Sequence, residues 1–82
     1  MSWVCYLLRC KDDTYYCGIT NDIEKRLLAH NAGEGAKYTR GRLPVKVVYS
    51  EICADKSAAL KRELQIKRLS RSAKKLLYLS VP

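Results

Sequence analysis

The sequence predicts a mixed α/β fold: a small three-stranded, antiparallel-containing sheet flanked by helices, in the order β-β-α-β-α-α. Three observations carry this reading. Two β-forming runs, Trp3–Cys10 and Tyr15–Ile19, are separated only by the turn residues Lys11, Asp12, Asp13 and Thr14, which pairs them as a hairpin. Three later stretches each open on a residue suited to cap a helix. A third β-rich run, Val45–Tyr49, follows Pro44 between the first two helical stretches. With 82 residues there is room for one domain, and residues 1–82 are read as that domain.

Each element has a local reason. Trp3–Cys10 is nearly all apolar, as expected of a strand covered on both faces. Tyr15–Ile19 is short and rich in β-formers. Asn21 is the expected cap of the first helix, and Glu24 completes a pattern like a capping box. That helix should run to about Asn31 and end at Gly33. Gly35–Arg42 reads as a basic loop. Asp55 or Ser57 caps a second helix, reaching about Leu69, and Ser70 caps a short third one from Arg71 to Leu79.

Composition narrows the function. Sixteen Lys and Arg against eight Asp and Glu give a net charge of +8. Such an excess on a small surface favours a polyanion, either nucleic acid or an anionic membrane surface. The four cysteines, Cys5, Cys10, Cys17 and Cys53, lack zinc-knuckle spacing, and one histidine cannot complete a usual Cys/His site. Cys5 and Cys17 lie in apolar runs and read as small core residues in a reducing compartment. Nothing resembles a signal peptide or a bilayer-spanning segment. The expectation is a soluble cytoplasmic protein with no membrane partner.

Residues that break the pattern around them point to chemistry. On a wheel of roughly 100° per residue, Glu63 falls between Leu60 and Leu64 on one side and Ala59 and Ile66 on the other. A carboxylate on a packing face costs several kcal/mol unless a cation or a set of donors meets it. It is either half of a core ion pair, with Arg26 or a Lys such as Lys67, or a metal ligand at the rim of the core. Arg26 and His30 are four apart and share one helix face, beside the stripe marked by Ile23 and Leu27. Arg26 therefore sits where core meets solvent, as a snorkelling side chain or a catalytic one. His30 alone reads as structural, near the helix C-terminus.

Val4-Cys5-Tyr6, Tyr16-Cys17-Gly18, Arg26 eight residues after Gly18, and Glu63 on a later helix together resemble the GIY-YIG nuclease superfamily. The closer likeness is to its small single-domain bacterial members, through Gly35-Ala36-Lys37-Tyr38-Thr39-Arg40-Gly41-Arg42 and the basic helix Leu60-Lys61-Arg62-Glu63 with Ile66-Lys67-Arg68-Leu69-Ser70. It extends from about Trp3 to Leu76. Val4 stands where the name-giving Gly does, and Cys5 and Cys17 replace the aliphatic middle residues. The resemblance implies metal-dependent hydrolysis of DNA phosphodiesters with one Mg²⁺ or Mn²⁺. It implies Glu63 as the metal ligand and Tyr6, Tyr16, Arg26 and His30 as further site residues.

This chemistry suits those residue types. An ion held by one carboxylate keeps most of its waters and leaves room for phosphate. Arg26 can clamp phosphate oxygens bidentately. Tyr6 is the expected base for the attacking water, with a phenol lowered from about 10 by the cation and Arg26, so that the rate climbs with pH above neutrality. Side chains alternate along a strand. Tyr6 and Tyr16 therefore share a face only across an odd hairpin loop, such as Asp12-Asp13-Thr14. The odd loop is expected, with both hydroxyls toward Arg26 and Glu63. Lys37, Tyr38, Arg40, Arg42, Lys61 and Arg62 are the expected nucleic-acid grip. Three readings stay open: a nuclease of repair or processing, a nucleic-acid-binding module without turnover, and a subunit needing a protein partner for target recognition. A monomer or weak dimer fits each.

Overall fold

The computed structural model describes residues 2–79. β1 (Trp3–Arg9) lies between β2 (Tyr15–Thr20) and β3 (Lys46–Cys53) and runs antiparallel to both. The helices are α1 (Ile23–Asn31), α2 (Lys37–Arg40), α3 (Lys56–Lys67) and α4 (Arg71–Leu79). The central place of β1 explains its composition. Cys5, Tyr6, Leu7 and Leu8 are all buried, and successive side chains face opposite ways, so both faces need apolar groups. Cys5 and Leu7 pack with Cys17, with Ile66 of α3, and with Leu77 and Tyr78 of α4. Tyr6 and Leu8 pack on the opposite face with Val45 and with Ile23 and Leu27 of α1.

The hairpin loop is odd, as expected. Arg9 pairs with Tyr15, and the Cys10 N–H bonds the Thr14 carbonyl at 2.8 Å, leaving Lys11, Asp12 and Asp13 at the tip. Asp13 takes the left-handed conformation (φ 64°), which Asp tolerates better than most residues. The Asp12 carboxylate accepts from Thr14 N–H at 3.2 Å and from Thr14 O–H at 2.5 Å, closing the turn. Tyr6 lies opposite Gly18 and Leu8 opposite Tyr16, so Tyr6 and Tyr16 share a face. Gly18 has a specific role: a Cβ there would sit 2.6 Å from Tyr6 Oη. Bare backbone at Gly18 lets the Tyr6 phenol lie across β2.

Several boundaries differ from the sequence reading. β2 continues through Thr20, whose Oγ1 accepts from Asp22 N–H at 3.1 Å. The cap of α1 is therefore Asp22, accepting from Lys25 N–H at 3.2 Å, and not Asn21. The expected loop Gly35–Arg42 contains a one-turn helix, α2, placed between α1 and β3. Its polar run carries no periodicity to reveal it; burial of Thr39 against His30 winds it. β3 runs on to Cys53 because Trp3, at the start of the central strand, pairs with it. Of the two candidate caps for α3, Asp55 serves, accepting from Ala58 N–H at 2.8 Å. Ser70 caps α4 through Ala73 N–H at 3.1 Å. α3 ends at Lys67, and it buries only Ala59 and Ile66. Leu60 and Leu64, expected on the packing face, are 43% and 54% exposed, since the sheet meets α3 along a single narrow stripe.

All four cysteines are free thiols, with Cys5 and Cys17 Sγ 3.8 Å apart in the core. Among the described residues no helix is long and apolar enough to cross a membrane.

Leu7→Ala, at a fully buried position on β1, should lower stability by about 2–5 kcal/mol. Ile52→Ala, at a position 77% exposed on β3, should stay within about 0.5 kcal/mol of the parent. Urea denaturation of both variants checks this. Equal losses would mean that the core is not where these contacts put it.

Candidate active site

The site grows from two helix positions one turn apart and two strand positions on one sheet face. Tyr6 is 1% exposed, and its Oη lies 3.0 Å from His30 Nε2. His30 is fully buried in the last turn of α1, with Nδ1 2.9 Å from Thr39 Oγ1 on α2. Arg26, one turn earlier on α1, brings its positive charge to bear on Tyr6 and Tyr16. The Tyr16 ring meets His30 edge-on at 5.3 Å and stacks on Tyr38 at 6.0 Å. The Arg42 guanidinium lies 4.1 Å from the Tyr38 ring centroid, where its charge favours the ring face.

Backbone devices hold these groups. The Asn31 side chain bonds both polar groups of Val45: its Oδ1 accepts from N–H at 2.8 Å and its Nδ2 donates to C=O at 3.1 Å. This pins the end of α1 to the start of β3. Gly35 passes close to His30, where a Cβ would lie 2.8 Å from the His30 Cα and fall onto its ring. Lys11 N–H bonds the Arg42 carbonyl at 2.9 Å, and Arg42 pairs with Asp12 at 3.0 Å, tying the segment after α2 to the hairpin turn.

Burial sets the electrostatics. The Tyr6 phenol is pushed above its usual value of 10, because loss of water outweighs the opposing guanidinium of Arg26. This corrects the expected lowering as far as the chain's own groups decide it. His30 is pushed below 6.5, first by burial and then by Arg26, so it is neutral at pH 7.

Glu63 stands elsewhere. It is on α3, on the face of Cys5 and Cys17, and its charge bears on both thiols. Its carboxylate lies 3.6 Å from Lys67 Nζ and its side chain is 17% exposed. The structure thus brings Tyr6, Tyr16, Arg26 and His30 together on one sheet face and puts Glu63 on the other. The two sides approach at the edge of the sheet along β2. There Tyr16, Cys17, Tyr38, Lys67 and Lys74 line a depression of about 290 Å³.

Of the expected grip, Tyr38 and Arg42 border the tyrosine cluster, and Lys37 and Arg40 are exposed on α2. Lys61 is exposed on α3, and Arg62 is held toward β3 by Glu51 at 2.9 Å. Sequence reasoning missed Thr39 as a site neighbour, and it placed Lys67 and Lys74 in no pocket. Thr39 is flanked by Tyr38 and Arg40, and its only signal was membership of the motif. Among the described residues no group of three or more His, Cys, Asp and Glu could hold a metal ion. A lone, largely buried carboxylate whose cation partner stays beyond hydrogen-bond range suits a divalent ion that retains its waters.

A histidine held neutral makes stability depend on acid. As pH falls through about 6.5 the unfolded chain takes up the proton before the folded one does, so folding stability drops. The melting temperature should hold steady above about pH 7 and fall below about 6.5. In His30→Gln that part of the slope should vanish. An unchanged slope in the variant would mean that His30 is not the group responsible.

The GIY-YIG catalytic domain family model matches residues 2–76. A UPF0213 protein of Halobacterium salinarum is 51% identical over 73 residues, covering 89% of this chain and 95% of that protein. One from Clostridium perfringens is 56% identical over 69 residues, covering 84% and 74%. The solution NMR structure of a UPF0213 protein from Bacillus halodurans shares 42% identity at a TM-score of 0.58, over 94% of this chain and 82% of that one. The solution NMR structure of a protein from E. faecalis shares 40% identity at a TM-score of 0.65, over 98% and 84%. With a tyrosine-lined sheet face of this geometry and a match along nearly its whole described length, the chain belongs to the GIY-YIG family, in the company of the UPF0213 proteins.

Proposed function

We propose that this protein is a divalent-metal-dependent endonuclease that hydrolyses DNA phosphodiester bonds in repair or processing. The observation that carries the reading is the buried Tyr6 hydroxyl, 3.0 Å from His30 Nε2 and within the field of the Arg26 guanidinium. An arginine has donors only, so the proton of Tyr6 has His30 as its acceptor.

The residues divide the work. Arg26 grips phosphate oxygens and stabilises charge that develops on them. Tyr6 accepts a proton from the attacking water as its own proton passes to His30. Tyr16 positions water or phosphate beside it. Tyr38, exposed and stacked between Tyr16 and Arg42, holds the Arg42 guanidinium beside the tyrosine cluster. Lys37, Arg40, Arg42, Lys67 and Lys74 hold the phosphate backbone without reading sequence. Glu63, whose ion-pair partner Lys67 lines the depression at the β2 edge, is the residue that would hold Mg²⁺ or Mn²⁺. When bound, such an ion supplies charge neutralisation and a more acidic water. A small chain with little surface for base readout fits a partner protein for target recognition, a monomeric or weakly dimeric state, and work in the cytoplasm. The ion pair of Glu63 with Lys67 favours the second reading, a nucleic-acid-binding module without turnover.

The parent, incubated with branched, flapped and linear DNA and Mg²⁺ or Mn²⁺, should cut at least one substrate. Glu63→Gln and Arg26→Lys should each slow cutting by about a hundredfold or more while still binding DNA. Binding by the parent without cleavage on any substrate would establish the binding module. Equal cleavage by Glu63→Gln would remove the carboxylate from the mechanism.

The pH profile separates two routes for the Tyr6 proton. Transfer to a neutral His30 leaves the proton count unchanged, so the rate should fall only below about pH 6.5, as His30 protonates, and level off across neutrality. A climb of about tenfold per pH unit from 7 to 9 would instead mean that solvent hydroxide removes the proton from a raised phenol.

A further inference from the structure

Thr39 has no role in the chemistry described so far, yet it is fully buried against the inner side of His30. Its hydroxyl has one proton and two neighbours: the Ala36 carbonyl at 2.9 Å and His30 Nδ1, also at 2.9 Å. A carbonyl oxygen only accepts. Two oxygens held 2.9 Å apart in the core without a proton between them would repel, so the Thr39 proton goes to Ala36. The oxygen of Thr39 then faces Nδ1 with lone pairs alone, and Nδ1 must carry the imidazole proton. His30 is neutral, so Nε2 is bare.

The Tyr6 side of the ring leads to the same tautomer independently. Arg26, whose charge bears on Tyr6, has donors only and cannot accept its proton. Tyr6 is 1% exposed, so its hydroxyl proton needs an acceptor inside the protein, and Nε2 is the one within reach at 3.0 Å. The Ala36 N–H also points at Nδ1, at 3.4 Å, a contact that by itself would favour a bare Nδ1 but is the longest around the ring. That contact is outweighed by the two shorter ones.

The geometry points to Thr39 as a positioning residue: it fixes His30 as the Nδ1–H tautomer and so turns the bare Nε2 toward the Tyr6 hydroxyl. Its catalytic consequence rests on the nuclease reading. There the water proton moves to the Tyr6 oxygen and the Tyr6 proton to Nε2 as the water oxygen bonds to phosphorus. The P–O bond to the leaving oxygen breaks, and that oxygen takes a proton from solvent. The imidazolium returns its Nε2 proton through Tyr6 to solvent, and the Nδ1–H stays on Thr39 throughout. With the other tautomer, Nε2 would already hold a proton and Tyr6 could not release its own.

The chain has a single histidine, so one spectrum reads the tautomer. Long-range ¹H–¹⁵N correlation of the imidazole ring in the ¹⁵N-labelled protein near pH 7.5 should show Nδ1 protonated and Nε2 bare. Thr39→Ser should keep that pattern, and Thr39→Val should shift it toward Nε2–H or an average. On whichever DNA the parent cuts, Thr39→Val should lose roughly tenfold or more in kcat with little change in KM, and Thr39→Ser should restore it. An Nε2–H pattern in the parent overturns the proposal, whether or not the valine variant folds. So does a folded Thr39→Val that keeps the parent's pattern. If the parent cuts nothing but shows Nδ1–H, only the nuclease reading fails.

Discussion

The constraint on which the structure turns is a phenol buried on the central strand. Tyr6 has to be where it is because β1 is covered on both faces, and every second residue of it must enter the layer beneath α1. A hydroxyl placed there costs free energy unless it is bonded. His30 supplies the bond and Arg26 a nearby positive charge, and they demand their own arrangement. α1 must present both on one face, β2 must be bare at Gly18 so that the ring can lie across it, and the chain after α1 must close over His30. A cluster of polar groups thus sits inside a small core, and among the described residues no buried side-chain polar atom is left without a partner.

That closure makes the site rigid from within. Asn31 anchors α1 to Val45, Gly35 packs against the His30 backbone, and Thr39 meets the far nitrogen of the ring. The exposed groups differ in kind. Tyr38, stacked between Tyr16 and Arg42, and the lysines at the β2 edge are held by surface contacts open to solvent. A buried, satisfied centre with a basic rim suits proton movement within the core and phosphate contact at its border. Glu63 belongs to the other layer, reached around the edge strand, which makes the fit of a metal ion there a separate question from the tyrosine geometry.

The strands were legible from their apolar runs, and the three longer helices from the cap chemistry that the backbone needs. The slips have physical causes. Asn21 and Asp22 are both good caps, and the choice fell to Thr20, which extends β2 and bonds the Asp22 amide. α2 had no apolar stripe, since it is organised by one buried threonine. Leu60 and Leu64 read as core on a wheel, but a helix resting on a sheet along the line of Ala59 and Ile66 leaves them outside. The site was half legible. The odd hairpin loop and the Arg26–His30 spacing put the right groups on one face, whereas the balance between burial and charge at Tyr6 depended on how much water the fold removes.

By itself the sequence determined the three strands, the three longer helices and the family, and made the shared face of the two tyrosines an expectation that hung on loop parity, because these follow from apolar runs, cap chemistry and ordered motifs. Only the tertiary structure decided the protonation and partners of the buried groups. Whether His30 is neutral, where its proton sits and which carboxylate lies on which side of the sheet depend on distances between residues far apart in the chain. No local pattern carries those distances; close packing of α1, α2 and the sheet sets them.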